Sequence, residues 1–476
     1  MRDHYQSPLG KRYAGKKMQK IFSDDYKFST WRKLWIALAE SEQELGIPIT
    51  DEQIAEMKRF VYTINYDVAE AYEKEVRHDV MSHVLAYGEQ CPVAKSILHL
   101  GATSCYVGDN TDIIQMRSAL QLVKQLLLNA MDAVADFTEK YKNTPCLAFT
   151  HFQAAQPTTM GKRATLWLHD LLMDYERLEF ELDHIKLLGC KGTTGTGASF
   201  LALFEGDHAK VKGLEQKIAE KMGFSAVYPV SGQTYSRKVD AQIMSVLSGI
   251  AQSAAKFSND IRLLSHLKEV DEPFESKQIG SSAMAYKRNP MRSERIGSLA
   301  RYVMADAMNP AMTAAGQWFE RTLDDSANRR ISIPEAFLCI DGILSLLLNI
   351  VRGMSVYPAV MGKHLNEELP FMATENILMH CVKKGGDRQA LHEAIREHSV
   401  ATAKEIKLRG KDNDLLDRIL ADERFHLTRE ELDSILSVEQ FIGRAKEQTE
   451  EFLYDIIRPI LEENASLLGM DVSISV

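Results

Sequence analysis

The chain has 476 residues, 45% of them hydrophobic and 26% charged, with a formal net charge of −9 from 57 basic and 66 acidic side chains. This length exceeds one simple core and sets an expectation of roughly two to four domains, in a composition typical of globular proteins. The negative balance argues against a general nucleic-acid binder, so any cationic site must be gathered locally by folding.

Residues 1–103 read as a short helical domain. The stretch 30–40 has a period-3.6 apolar face with Thr30 as its expected cap and a stop near Gly46 and Pro48. Thr50 opens a second helix with a capping-type start. From Asn110, the positions Ile113, Met116, Leu120, Val123, Leu127, Ala130, Val134 and Phe137 step by three and four. The same rhythm runs from Gly161 through Ala164, Leu168, Leu171, Tyr175, Leu178, Leu182 and Ile185. It runs again through Ile243, Leu247, Ile250, Ala254, Phe257, Ile261 and Leu264. Three such seams predict long helices, each about 30–40 Å at roughly 1.5 Å per residue, packed at shallow angles. Further apolar residues beside the first seam (Leu122, Leu126, Leu128) predict a second buried face, of the kind shared between subunits. The connections 99–110, 150–161, 191–199 and 231–237 are polar or glycine-rich. A smaller helical domain starts near Tyr357 and Pro358, with a polar loop at 409–413.

The six cysteines stand far apart with no CxxC pair, as in a reduced cytosolic protein. No apolar leader follows the basic N-terminus, and the most apolar run, 343–351, is broken by Ser345 and Asn349 and is too short to span a bilayer. A cytoplasmic chain without membrane or nucleic-acid partners is expected. His78 and His83 are five apart, off one helical face, and neither HExxH nor a Cys/His cluster exists, so no metal or other cofactor is expected. A hydrolase elbow of the G-x-S-x-G type is absent. The loop 191–197 has neither the GxGxxG spacing nor a preceding strand, so it does not read as a dinucleotide loop.

Chemistry concentrates in the connections. The stretch 280–295 joins a small, hydroxyl-rich half to a cationic half carrying Lys287, Arg288, Arg292 and Arg295. Pro290 disfavours helix at Asn289, and a helix can begin behind it, with Ile296, Leu299 and Val303 at helical spacing. A helix N-terminus with cations beside it suits a polyanion. His151 stands between Thr150 and Gln153, groups able to fix an imidazole tautomer.

Ser281-Ser282-Ala283-Met284-x-Tyr286-Lys287-Arg288-Asn289-Pro290 resembles the signature loop of the fumarase/aspartase superfamily. The blocks 150–162 and 99–110 resemble that superfamily's other two motifs, in its order. The stretches 11–13, 74–79, 232–237, 286–294, 320–330 and 441–446 are most similar to its adenylosuccinate lyase branch, so the resemblance spans essentially the whole chain. Two positions depart from the pattern: Ala285 stands where relatives usually have proline, and Gly197 where many have glutamine.

The resemblance implies an all-α fold in three helical domains (1–103; 104–356 with the catalytic loop 280–295; 357–476). Its central long-helix bundle would form the core of a homotetramer with active sites shared between subunits. It also implies β-elimination of fumarate from succinyl-purine nucleotides, namely adenylosuccinate and the succinyl-aminoimidazole-carboxamide ribotide (SAICAR), without cofactor. Ser281 matches the base, His151 the general acid, Lys287 a stabiliser of the activated serine, and His78 a partner for His151 or the substrate. Arg12, Tyr13, Arg77, Asp79, Thr103, Ser104, Gln233, Asn289, Arg295, Arg321, Ser326 and Arg330 match the substrate-binding positions, where arginine forks suit carboxylates and phosphate. Competing readings are a sister lyase, such as argininosuccinate lyase or a carboxymuconate cycloisomerase, and a non-catalytic helical assembly of the crystallin kind. Arg77-His78-Asp79 favours the purine branch over the first, and retention of both His151 and Ser281 opposes the second.

Overall fold

The computed structural model describes residues 3–275, 277–472 and 474. Helix α1 (Asp24–Glu44) buries Trp31, Leu34, Trp35 and Leu38. Its cap is Ser23, whose side chain accepts from the Tyr26 amide, and not Thr30. Thr30 lies inside the helix and returns its hydroxyl to the Tyr26 carbonyl at 2.7 Å, and the helix starts about two turns before the expected point. Thr50 does open α2 (Asp51–Arg59), through a full capping box with Gln53. Helix α3 (Asp79–Gln90) begins at His78, which serves as its cap.

Five helices form the central bundle: α4 (Ser104–Tyr141), α5 (Met160–His184), α6 (Lys238–His266), α7 (Met291–Asp306) and α8 (Asp325–Gly353). The three seams fall in α4, α5 and α6. Helix α4 is longer than expected. It starts at Ser104 because Cys105, Tyr106 and Val107 are already buried, and its 38 residues span about 57 Å. Leu122, Leu126 and Leu128 are buried within this one chain, so the second apolar face of α4 needs no other copy. The apolar run 343–351 is no isolated short segment. It belongs to α8, whose most apolar 18-residue stretch has a mean hydropathy of 1.9, in the range of a membrane-crossing helix, and 72% of that stretch is buried.

Cross-helix contacts fix the directions. Trp167 of α5 donates to Asp260 of α6 at 2.6 Å, and Arg292 of α7 donates to Asn349 of α8 at 2.7 Å, so each of these pairs runs antiparallel. Arg237, at the start of α6, bonds both Asp109 near the start of α4 and Asp325 at the start of α8. One end of the bundle, the head, therefore gathers the starts of α4, α6 and α8. The other, the tail, gathers their ends and the starts of α5 and α7. Gly161 makes the tail junction possible, since a Cβ there would fall 2.5 Å from Cα of Lys142 at the end of α4.

The connection 150–161 is more ordered than its composition promised. Strands β1 (Pro145–Thr150) and β2 (Gln153–Thr159) pair antiparallel into a hairpin leading directly into α5. A second two-stranded ribbon, β3 (Val270–Asp271) with β4 (Ser355–Val356), ties the exit of α6 to that of α8. Helices α9 (Pro358–Met372) and α10 (Arg388–Arg409) follow, the latter ending at Gly410 in the left-handed region before the expected polar loop. Residues between Ala373 and Ile435 enclose a hydrophobic core of their own, apart from the large one built on the bundle. All six cysteines are buried and unpaired.

Candidate active site

At the head end, backbone segments stack closely enough to demand glycine. A Cβ on Gly195 (φ +81°) would fall 1.9 Å from the Ser231 carbonyl, and one on Gly232 would fall 2.4 Å from that of Glu320. The glycine-rich loop thus lies on 231–232, which lies on the segment carrying Arg321. Gly197 has φ +67° and precedes the short helix Ala198–Leu203, so the departure from glutamine puts the residue best suited to the left-handed region there.

Gln233 sits in this stack with its amide oriented on both sides. Its Oε1 accepts from Cys105 Sγ at 3.4 Å and its Nε2 donates to the Thr193 carbonyl at 3.2 Å. His78 accepts the Met81 amide at Nδ1 (3.3 Å), which leaves Nε2 to face Ser104 Oγ, also at 3.3 Å. Asp79 receives Arg330 at 3.1 Å. Thr103 occupies the cap position of α4 without spending its hydroxyl on the helix. Arg77 is exposed in the left-handed region just before His78, and Ser326 lies in the first turn of α8. His99 accepts Trp35 Nε1 at 2.9 Å, and burial, with His78 nearby, pushes its pKa down to about 4.

Beneath this surface runs a buried ladder of charge. Arg321 Nη1 donates to both oxygens of Asp325 (2.9 and 3.1 Å), and Arg237 Nε reaches Asp325 at 2.6 Å. Arg237 then grips Asp109 with both terminal nitrogens (2.9 and 3.2 Å). Arg329 binds Asp240 at 2.6 Å and Asp112 at 2.9 Å alongside. Sequence reasoning did not single out Asp109, Arg237 and Asp325, although all three lie inside the motif stretches. Their spacing carries no sign of burial, which arises only when three helix starts converge.

The tail end carries His151 and Ser281. Thr150 pairs with Gln153, so His151 and Phe152 form a two-residue turn with φ of +51° and +58°. Such turns favour Asn-Gly; bulkier residues in left-handed geometry cost about 1–3 kcal/mol each and cluster at functional sites. The strain holds an exposed imidazole at the tip of a hairpin. Thr150 and Gln153 do not fix that imidazole: they close the hairpin, and the Gln153 amide donates to the Phe152 carbonyl at 3.0 Å.

The loop before α7 is held by its own bonds. Asn289 Nδ2 donates to the Gly280 carbonyl at 2.8 Å, and a Cβ on Gly280 would meet the Lys287 carbonyl at 2.2 Å. Ser281 Oγ accepts the amides of Ala283 (3.3 Å) and Met284 (3.1 Å). Lys287 is exposed nearby. The polyanion expected at the start of α7 is supplied by the chain itself: Glu272 accepts the amides of Arg292 (3.0 Å) and Ser293 (2.6 Å), filling the positive helix end. Arg292 is likewise spent on Asn349 and Glu275, and Arg288 lies 3.7 Å from Asp271. Arg295, in the second turn of α7, stands over the Tyr13 ring at 6.0 Å. The turn Leu9–Tyr13, which carries exposed Arg12, packs on α8 at Gly342.

The expected site residues thus divide. Arg77, His78, Asp79, Thr103, Ser104, Gln233, Arg321, Ser326 and Arg330 lie at the head, His151, Ser281, Lys287 and Asn289 at the tail, and Arg12, Tyr13 and Arg295 along the flank of α7 and α8. The length of α4 separates the two ends by on the order of 50 Å. Within one chain, His78 is no neighbour of His151.

Comparison with known proteins shows the family. A family model described as "Lyase" matches residues 15–305, and one described as "Adenylosuccinate lyase C-terminus" matches residues 370–452. The chain is 52% identical over 463 residues to the adenylosuccinate lyase of Saccharomyces cerevisiae, covering 97% of this chain and 96% of that one. It is 48% identical to that of Schistosoma mansoni, covering 100% and 99%. The 3-carboxy-cis,cis-muconate lactonizing enzyme from Pseudomonas putida shares the fold, with a TM-score of 0.82 at 22% identity over 95% of this chain and 99% of that one.

Proposed function

From the premise that the chain belongs to the adenylosuccinate lyase family, we propose that it cleaves succinyl-purine nucleotides by β-elimination. It releases fumarate from adenylosuccinate to leave AMP, and from SAICAR to leave the corresponding carboxamide ribotide (AICAR). It does so in the cytoplasm, as an oligomer whose sites each draw on more than one copy.

The observation that carries this reading is the division of its polar residues between the two ends of a long bundle. No nucleotide-sized substrate bridges that length, so head and tail groups meet when copies pack side by side. A homotetramer is the assembly the family implies. Leu166, Met173 and Phe180, at steps of seven along α5, are exposed in the isolated chain and offer a coiled-coil-like seam for that packing.

Each residue then has a task. Ser281 takes the proton from the carbon beside a carboxylate, and the amides of Ala283 and Met284 already point at its oxygen, where alkoxide charge develops. Lys287 adds positive charge on the same loop. His151 delivers a proton to the departing nitrogen, carried into a neighbour's site on its rigid turn. His78, held through Nδ1, presents Nε2 beside Ser104 to orient the substrate or His151. Arg321, Ser326 and Arg330 receive anionic groups of the nucleotide, with Thr103, Gln233 and Asn289 completing the polar lining.

The test is to add purified protein to adenylosuccinate and follow absorbance with fumarate assayed in parallel. Equal yields of AMP and fumarate are expected. A folded, oligomeric protein that makes neither would overturn the reading and bring the sister lyases forward.

A further inference from the structure

The buried ladder at the head end does more than fill space. Its three members behind Arg321 come from three different helix starts: Asp109 from α4, Arg237 from the residue before α6, and Asp325 from the first residue of α8. The side chains of Arg237 and Asp325 are almost wholly buried, while that of Arg321 remains 22% exposed. Of these four residues, Arg321 is thus the one that reaches the surface. Both of its bonds run through Nη1, and no other hydrogen bond engages it among the described residues.

We propose that Asp325, backed by Arg237 and Asp109, is a positioning residue that sets the direction in which Arg321 offers its unspent Nε–Nη2 edge to an anionic group of the substrate. This rests on the placement of Arg321 in the site proposed above. A guanidinium free to rotate would lose entropy on closing around a carboxylate or phosphate; one held by a carboxylate on its far edge has lost it already. The anchor is stiff because its next partner, Arg237, is itself gripped bidentately by Asp109. Burial alone would raise the Asp325 carboxyl, but Arg237 and Arg321 outweigh it and keep the group ionised, below the usual carboxylate range.

Steady-state kinetics of full-length D325N, R321A and the double variant on adenylosuccinate test this, with inhibition by inorganic phosphate and by fumarate measured separately. D325N is expected to raise KM about tenfold or more, the scale of a charge-assisted hydrogen bond, while kcat falls less. In the R321A background the same change should add nothing. Weakened inhibition by phosphate with fumarate inhibition retained identifies the anion as a phosphate, and the converse a carboxylate. An unchanged KM in folded D325N, or full additivity with R321A, overturns the positioning role. An unchanged KM in R321A overturns the site assignment itself. Should D325N fail to fold, D325E keeps the buried charge but moves the carboxylate by one methylene. The same rise in KM is expected there, and a wild-type KM overturns the proposal.

Discussion

His151 is placed by two adjacent residues in left-handed geometry, a costly way to build a turn unless the tip is needed. Replacing it with alanine is expected to leave a folded protein whose turnover is lower by roughly 10²–10⁴-fold, the usual share of a general acid; near-normal kcat would remove it from the mechanism. Glu42 presents the opposite case, a titratable group that the chemistry leaves aside. It is wholly buried in α1, neither carboxylate oxygen has a hydrogen-bond partner among the described residues, and burial pushes its pKa up to about 8. The unfolded chain ionises this group near pH 4.5. Its stabilising contribution is therefore complete below that value and is lost as pH rises to about 8, at about 1.4 kcal/mol per unit. Melting curves of wild type and Glu42→Gln should diverge in favour of the variant between pH 5 and pH 8. Parallel curves would mean that the carboxyl finds a partner in solution.

At the scale of elements, the start of α7 links fold to site. Glu272 caps it with both oxygens and so fixes where the 280–290 loop ends. Glu272→Ala should cost about 1–2 kcal/mol in chemical denaturation and lower turnover as well; lost stability with full activity would show that the loop keeps its form without the cap. The helices α4, α5 and α6 were legible because each keeps an apolar stripe at helical spacing. Helix α8 was not, because it is buried nearly all round, so its apolar residues mark no face, and Pro334 interrupts the pattern. The hairpin was hidden by its second strand, rich in Gln, Thr and Ala, whose pairing depends on residues across the turn and not on its own propensity. Of the site, the motif residues could be named, but their partition between two ends could not, since it follows from which way each helix runs.

The whole molecule behaves as a strut with different chemistry at each end. Two variants expected to be impaired, His78→Ala at the head and His151→Ala at the tail, should therefore regain activity when mixed, dissociated and reassembled, because some sites then combine two intact halves. A mixture no more active than its components would confine each site to one chain.

Helix α4 crosses the full distance between those ends as one uninterrupted element. Adding a single residue near its middle would turn everything beyond by about 100° and advance it by about 1.5 Å, swinging buried leucines outward and the hairpin off its heading. Losing seven residues would restore the phase but shorten the rod by about 10 Å, bringing the hairpin short of its target. Point substitutions can be absorbed along its exposed positions, whereas changes of length are admissible only in the connections.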